Sequence, residues 1–263
     1  MLPIIDLDAL HEGASNGEEV ASFRAALRRG ATAFTVRAGS LVPPALVERA
    51  YEHTTSLHAL PTAAKAPLHF SRHGDGRGWV PLHAEGSYEA GDVASHVESY
   101  DLGRPLPRTH PAVVAKLSGC APNVYPPEDL CPGFEADIEA LNVALARTAA
   151  IVLAALPLGD DGPAHIARLY REDTSLGKLR LMRYPGAGTG GSPAVATASN
   201  HGVSSHTDFE AITFLHQSAP ALQLRLCGEW FEAPTPGGGE WTLIVSDMIE
   251  AREKRTCACA PIR

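Results

Sequence analysis

The spacing of apolar residues along the chain predicts three long helices. Apolar positions recur every three or four residues over residues 18–29, 43–60 and 134–156, which places them on one face of a helix. Gly30 ends the first of these patterns, and a pair of prolines opens the second. The third has the broadest apolar face, so we expect it to pack against something large and flat. A shorter helix is predicted over residues 163–171.

Apolar and β-branched runs bounded by turn residues predict strands. They lie at residues 3–7, 32–36, 178–184, 204–215, 221–226, 230–231 and 241–245, with a short piece at 78–82. The rest of residues 61–130 is rich in Pro, Gly and His, and residues 186–199 are predicted to form a flexible loop. Helices that come first and strands that cluster afterwards favour an α+β, mainly β fold, a β-sandwich or jelly roll backed by helices.

Composition narrows the classes of function. The chain has 263 residues, of which 44% are hydrophobic, and a net charge of -8 without a long basic run, so nucleic acid and anionic membranes are not expected partners. The N-terminal residues include acidic side chains where a signal peptide has basic ones. No apolar run approaches the length of a membrane-spanning helix. The five Cys show neither zinc spacing nor a disulfide framework. We therefore expect a reduced, cytoplasmic setting.

A His and an Asp two residues apart, His206 and Asp208, stand at the head of a β-branched and aromatic segment. On a strand, residues i and i+2 share a face, so the imidazole and the carboxylate would project together. These are two of the three ligands of the facial triad of non-haem iron oxygenases. The spacing alone is weak, because a chain with 12 His produces it easily by chance. A second copy, His73-Gly74-Asp75, lies among Gly and Arg residues that predict a loop.

Several motifs around this pair follow one another in a specific order. They are residues 2–7, the Arg77-Gly78-Trp79-Val80-Pro81-Leu82 run with Glu85, residues 179–185, His206-Thr207-Asp208, residues 222–230 and residues 243–250. In this order and spacing the chain resembles the isopenicillin-N-synthase-like family of Fe(II)/2-oxoglutarate-dependent dioxygenases. The resemblance implies a double-stranded β-helix, a jelly roll braced by N-terminal helices. Within one structural unit, it divides the chain into an N-terminal helical and loop region (residues 1–130) and a jelly-roll core with the iron site (residues 131–263).

The resemblance also implies cofactors and residues. Fe(II) and 2-oxoglutarate are the expected cofactors, and the partner is a small organic substrate. His206 and Asp208 match the first two iron ligands, and Tyr184 matches a tyrosine near the oxoglutarate, although an ordinary aromatic that closes a strand is an equal alternative. His201 and His216 flank the pair and are expected to be loop or strand histidines. Arg77 is expected to brace the N-terminal segment.

The chain departs from the family near residue 263. Counted from Asp247 without a gap, the family's second His falls on Ile262, which cannot bind iron, and the Arg that pairs with oxoglutarate has no counterpart. Cys257 and Cys259 are expected to be incidental, since thiolates favour softer metals. From this departure we expect an altered tail, missing last strands and impaired activity. The alternative is a non-catalytic jelly-roll paralogue or binding module.

Overall fold

In the computed structural model, most of the apolar runs form strands close to their predicted positions. The structure describes residues 2–11, 16–86, 95–157, 177–185, 202–226 and 228–249. Its strands are β1 (Ile4–Asp6), β2 (Ala33–Arg37), β3 (Gly78–Val80), β4 (Glu98–Gly103), β5 (Lys178–Arg183), β6 (Ile212–Leu215), β7 (Gln223–Leu226), β8 (Glu229–Glu232) and β9 (Glu240–Val245). Its α-helices are α1 (Leu7–His11), α2 (Asn16–Arg28), α3 (Pro44–Ala59), α4 (Thr62–Lys65), α5 (Pro111–Val114) and α6 (Phe134–Ala155).

The chain divides into two compact units, each made of segments that are distant in sequence. The first contains Met1–Pro44, Ala144–Thr174 and Ser205–Arg263, and the second contains Ala45–Val143 and Ser175–Ser204. The boundary at residue 130 between a helical region and a jelly-roll core stays a prediction.

The first unit is built on a four-stranded sheet with the order β1-β2-β9-β6. Strand β1 is parallel to β2, and the other neighbours are antiparallel. Strand β9 lies inside this sheet, and its residues Trp241 to Val245 are all buried. An interior strand that is covered on both faces needs apolar side chains at consecutive positions rather than in alternation, which explains the Trp-Thr-Leu-Ile-Val run.

Each face of this sheet has its own cover. On one face Phe34 lies opposite Leu243 and packs edge-on against Phe23 of α2, with 5.0 Å between ring centroids. On the other face Ala33 lies opposite Ile244. These two residues form an apolar cluster with Leu2, Leu224 and Ala233, and Phe231 packs against it. Leu224 and Phe231 belong to the antiparallel hairpin β7–β8, so the hairpin covers the second face.

The second unit contains the antiparallel sheet β3-β4-β5. Strand β4 has the polar sequence Glu-Ser-Tyr-Asp-Leu-Gly, yet all six residues are buried. Its two carboxylates are paired with cations: Asp101 lies 2.6 Å from Lys178 Nζ and 3.0 Å from Arg180 Nε, and Glu98 lies 2.5 Å from Lys65 Nζ. Buried charges persist when they are paired and hydrogen-bonded, so this strand has no apolar pattern from which it could be predicted.

Several elements predicted from the sequence differ from the structure or lie outside the described residues. Strand β4 and helix α1 are absent from the sequence-based assignment, and the predicted strand over residues 204–215 begins only at Ile212. The helix predicted over residues 163–171 and the loop over 186–199 lie outside the described residues. The short helices α4 and α5 were not predicted either, whereas the long helices and the remaining strands agree with their predicted positions to within a few residues.

Helix α6 is long and apolar enough to cross a membrane by length and composition, contrary to the expectation from the sequence. The same properties occur in core helices of globular proteins. Phe134, Ile138, Val152 and Leu153 on this helix are buried. One such helix is therefore weak evidence for a membrane.

The Glu98 carboxylate is held by several donors within the second unit. Lys65 Nζ and Trp79 Nε1 donate to Oε1 at 2.5 and 2.7 Å, while His58 Nδ1 and Arg183 Nη1 lie 3.3 Å from Oε2. Burial by itself would raise the pKa of Glu98, but hydrogen bonds from His58, Lys65 and Trp79 outweigh it and hold the pKa at about 2. The carboxylate therefore stays charged in the folded protein at any ordinary pH.

We expect Glu98→Gln to lower the free energy of unfolding by about 3–5 kcal/mol at pH 7, because it leaves the Lys65 ammonium buried without its counter-charge. The folded pKa lies below the ordinary value, so the stabilisation is present above about pH 4.5 and is lost as pH falls towards 2. Urea unfolding of both proteins at pH 7 and pH 3 should show the difference between them shrinking in acid. Glu240→Gln removes the exposed pair with Arg37 and should cost less than about 1 kcal/mol. Equal costs for the two variants would contradict this account.

Candidate metal centre

The predicted ligand pair lies in the loop that precedes β6 in the first unit. His206 Nε2 and Asp208 Oδ1 are 3.5 Å apart, and both side chains are largely buried. His206 forms a single β-bridge, and neither residue belongs to a strand of the described chain. The prediction that strand alternation brings the two side chains together is therefore wrong. Other contacts must hold them together.

Those contacts come from the residues that follow β9. The backbone N–H groups of Ser246, Asp247 and Met248 donate to the carbonyl oxygens of Ala211, Asp208 and Glu210, at 3.1, 3.0 and 3.3 Å. The Thr207 hydroxyl also donates to Asp247 Oδ2 at 2.8 Å. The loop thus continues the pairing of β6 with β9 past the point where the regular ladder stops.

The Asp208 carboxylate is oriented by strand β6. The Thr213 hydroxyl donates to Asp208 Oδ2 at 2.6 Å, while Oδ1 is the oxygen nearest the imidazole. Thr213 lies opposite Ile244 and therefore on the sheet face that the hairpin β7–β8 covers. One carboxylate oxygen is fixed by a hydroxyl, and the other is directed towards His206.

This geometry fits two neighbouring positions of an octahedral metal ion. Metal–ligand distances of about 2.1 Å place adjacent donor atoms about 3 Å apart, so the 3.5 Å separation needs only a small contraction. One imidazole and one carboxylate belong to the donor set of the two-His-one-carboxylate site. Among the described residues, no group of three His, Cys, Asp or Glu side chains converges to complete it.

His216, the flanking histidine that the structure describes, does not join the pair as a third ligand. The His216 ring packs edge-on against Trp241, with 5.0 Å between centroids. Trp241 lies on the sheet face opposite Thr213, and burial lowers the pKa of His216. His201, Cys257, Cys259 and Ile262 lie outside the described residues.

Tyr184 and Arg77 lie in the second unit. Tyr184 follows β5, its side chain is half-exposed, and its ring packs so closely on Gly202 that a Cβ there would collide with it. Its role towards oxoglutarate stays a prediction. Arg77 is buried and donates through Nη2 to the Gly119 carbonyl at 2.9 Å. It braces a loop of the second unit.

The second His-x-Asp copy has a different environment from the first. His73 Nε2 lies 3.0 Å from the Pro67 carbonyl oxygen, and Asp75 Oδ2 accepts from the Ala121 amide at 2.7 Å. Each side chain is thus engaged by backbone, in a short 3₁₀ turn. The predicted loop is confirmed at this copy.

Comparison with known proteins shows which family the chain resembles. Residues 2–128 match the family model described as the N-terminal region of a non-haem dioxygenase in morphine synthesis. A 2-oxoglutarate-dependent dioxygenase of Monascus ruber, citB, is 31% identical over 227 residues, which cover 83% of this chain and 65% of that protein. Over most of its length the chain is thus similar to Fe(II)/2-oxoglutarate-dependent dioxygenases. It spans slightly less than two thirds of the length of this relative.

Solved structures of this dioxygenase family share the fold. A Caulobacter crescentus protein of the 2OG-Fe(II) oxygenase family has a TM-score of 0.71 at 21% identity, over 100% of this chain and 79% of its own. A full-length Neurospora crassa protein solved with alpha-KG has a TM-score of 0.72 at 19% identity, over 100% of this chain and 78% of its own. Fe(II) and 2-oxoglutarate, the predicted cofactors, are confirmed for the family by the names of these dioxygenases and by a structure solved with both.

Sequence reasoning missed the residues that support the ligand pair. Thr207, Thr213 and Asp247 orient the loop and the carboxylate. No signal pointed to Thr213, because alternation along the predicted strand would place it on the face opposite His206 and Asp208. Asp247 gave no signal either, since it lies 40 residues from Thr207 in sequence.

We expect Thr213→Val to weaken Mn(II) binding about 10–100-fold, because loss of a hydrogen bond to a ligating carboxylate typically costs that much. The free energy of unfolding of the metal-free protein should fall by only about 1 kcal/mol. Isothermal titration calorimetry measures the first effect and urea unfolding the second. Thr213→Ser keeps the hydroxyl and is the matched control. Unchanged Mn(II) affinity in the valine variant would exclude an orienting role for Thr213.

Proposed function

We propose that this chain carries the metal site of an oxidoreductase that acts on a small organic molecule with Fe(II) and 2-oxoglutarate. His206 and Asp208 are the proposed metal ligands. The observation that carries the proposal is their 3.5 Å approach, with the second carboxylate oxygen already occupied by Thr213. Similarity to 2-oxoglutarate-dependent dioxygenases supports the same reaction class.

The roles of the chain's own residues follow from the geometry. His206 and Asp208 would occupy adjacent positions on the metal, and Thr213 would keep Asp208 to a single donor oxygen. Such a set leaves neighbouring positions open for oxoglutarate and O₂. The chemistry supplied by the bound metal and oxoglutarate is oxidation of a substrate C–H bond by O₂, coupled to conversion of oxoglutarate into succinate and CO₂. Tyr184 is the proposed contact for oxoglutarate.

Exposed apolar side chains adjoin this proposed site. Phe209 follows Asp208 directly and is 74% exposed, while Met248 follows Asp247 and is 57% exposed. The backbone bonds described above hold both segments together, between Asp247 and Asp208 and between Met248 and Glu210. Large exposed apolar groups beside a polar site favour a substrate with an apolar part.

We infer a jelly roll for the strands of the first unit. The sheet β1-β2-β9-β6 and the hairpin β7–β8 enclose one apolar cluster between them. Two layers of strands around a shared core are the basis of such folds, and the 2OG-Fe(II) oxygenases of similar structure support this inference. The core region of residues 131–263 and a cytoplasmic location remain parts of the proposal.

The third metal ligand decides between two functions. Ile262 occupies the position of the family's second His when residues are counted without a gap, and the described residues supply no third ligand to the pair. These observations favour impaired oxygenase activity, with a non-catalytic binding module as the second candidate. A site with two protein ligands loses much of the chelate advantage, so we propose weak metal binding.

We expect anaerobic calorimetric titration with Fe(II), or with Mn(II) in its place, to show weak one-to-one binding that His206→Ala abolishes. Thermal unfolding should show little stabilisation, since even tenfold excess over the dissociation constant adds only about 1.4 kcal/mol. The matched control is His73→Ala in the second His-x-Asp copy, which should leave binding unchanged. Tight binding by the unaltered chain would contradict the two-ligand proposal, and equal loss in both variants would contradict the site itself.

Succinate formation distinguishes the two candidate functions. The full chain is incubated with Fe(II), oxoglutarate, O₂ and a panel of small substrates with apolar groups, and succinate is measured. Turnover that depends on His206 supports the oxygenase. Metal binding at His206 without any oxoglutarate turnover, even uncoupled, favours the non-catalytic module.

A further inference from the structure

Two histidines of the second unit face each other outside the candidate iron site. His83 Nε2 and His96 Nδ1 are 2.8 Å apart, and the ring centroids are separated by 5.0 Å. His83 is exposed and His96 is half-buried, so solvent reaches the pair. Neither residue belongs to a motif on which the dioxygenase assignment depends.

The short distance defines the protonation of the two nitrogens. Two lone pairs or two N–H groups 2.8 Å apart would repel each other, so one nitrogen carries the proton and the other accepts it. If the protonated ring moves its proton to its other nitrogen, the two lone pairs face each other without any net loss of protons, and rotation of both rings directs them at one ion. A metal ion bound at about 2.0–2.1 Å by two imidazoles holds adjacent nitrogens about 3 Å apart. The nitrogens are therefore already at the separation that a chelated ion requires, and only the direction of the rings must change.

The backbone around both rings is fixed by hydrogen bonds. The Ala84 amide donates to the Pro81 carbonyl at 3.0 Å, which closes a turn around His83. The Ser95 amide donates to the Glu85 carbonyl at 3.1 Å, which ties the segment before His96 to the segment after His83. His83 itself has a φ of 65°, in the left-handed region that non-glycine residues rarely adopt. These contacts hold the two rings together before any ion arrives, so little ordering would accompany binding.

The donor atoms select the class of metal. Imidazole nitrogens suit Zn²⁺, Ni²⁺ and Cu²⁺, whereas Mg²⁺ and Ca²⁺ require oxygen ligands. The nearby Glu85 carboxylate is engaged by Arg180, and among the described residues no third His, Cys, Asp or Glu joins the two rings. We propose that His83 and His96 form a two-imidazole site for a divalent late transition metal, with water in the remaining positions. Cu²⁺ binds such donors most tightly and Fe²⁺ among the most weakly, so Cu²⁺ is the most sensitive probe of this site.

The test uses Cu²⁺ as the probe and the full chain with His206→Ala and Asp208→Ala, which removes the candidate iron site. Calorimetry at neutral pH should show one Cu²⁺ bound, and electron paramagnetic resonance should show coupling to two imidazole nitrogens. His83→Asn and His96→Asn should each weaken this binding at least tenfold. Asparagine is chosen at position 83 because it tolerates a positive φ.

His110→Asn is the matched control. It also removes one histidine, but His110 only caps a short helix by accepting from the Ala112 amide, a task that asparagine performs well. If neither His83→Asn nor His96→Asn lowers the Cu²⁺ affinity, or if only one of them does, the two-imidazole site is excluded. Thermal unfolding of the metal-free variants verifies that each one is folded, and the two variants at different positions provide independent tests.

Discussion

The pairing of strand β9 is the constraint on which the first unit depends. Its backbone is bonded to β2 on one side and to β6 on the other, and the residues that follow it bind the loop containing His206 and Asp208. Buried backbone groups without partners are costly, so the ladder and the loop are fixed by the same requirement. A slip of β6 by one residue would turn Thr213 to the opposite face and remove the hydroxyl from Asp208. The register of the sheet thus determines the geometry of the candidate site.

The second unit is stabilised differently, by charges that are buried in pairs. Asp101 and Glu98 on β4 contact Arg180 and Lys65 rather than apolar side chains. Burial alone would lower the pKa of Arg180, but Asp101 and Glu85 outweigh it and raise that pKa. Such pairs contribute little net stability compared with apolar packing, yet loss of one partner is severe. These ion pairs form in only one register of the strands, so they favour a single alignment of β3, β4 and β5.

Parts of the fold that follow apolar periodicity were predictable from the sequence. Helices α2, α3 and α6 and strands β2, β5, β7 and β9 bury continuous or regularly spaced apolar residues, and their positions agree with that pattern. Strand β4 was missed because its buried residues are polar, with partners far away in sequence. Helix α1 was missed because five residues are too few to show helical periodicity.

The candidate metal pair was found by motif, whereas the reason for its geometry was not. The sequence predicted a strand at His206, but the structure holds the residues in a loop by bonds from Asp247 and Thr213. Those partners depend on tertiary register, which local patterns do not contain. The His83–His96 contact is likewise invisible in the sequence, since the two residues are 13 positions apart and share no motif.

In the second unit the Arg77 guanidinium lies where a side chain at position 103 would begin. A Cβ at position 103 would fall on the Arg77 guanidinium, and the backbone of Gly103 is held in place by side-chain amides of Asn123 and Asn142. Arg77 is itself buried and donates to the Gly119 carbonyl, so any shift of its guanidinium disturbs that bond. A larger residue at 103 therefore requires the guanidinium to move or a shorter side chain at 77. The two positions are expected to change as a pair among descendants of this protein.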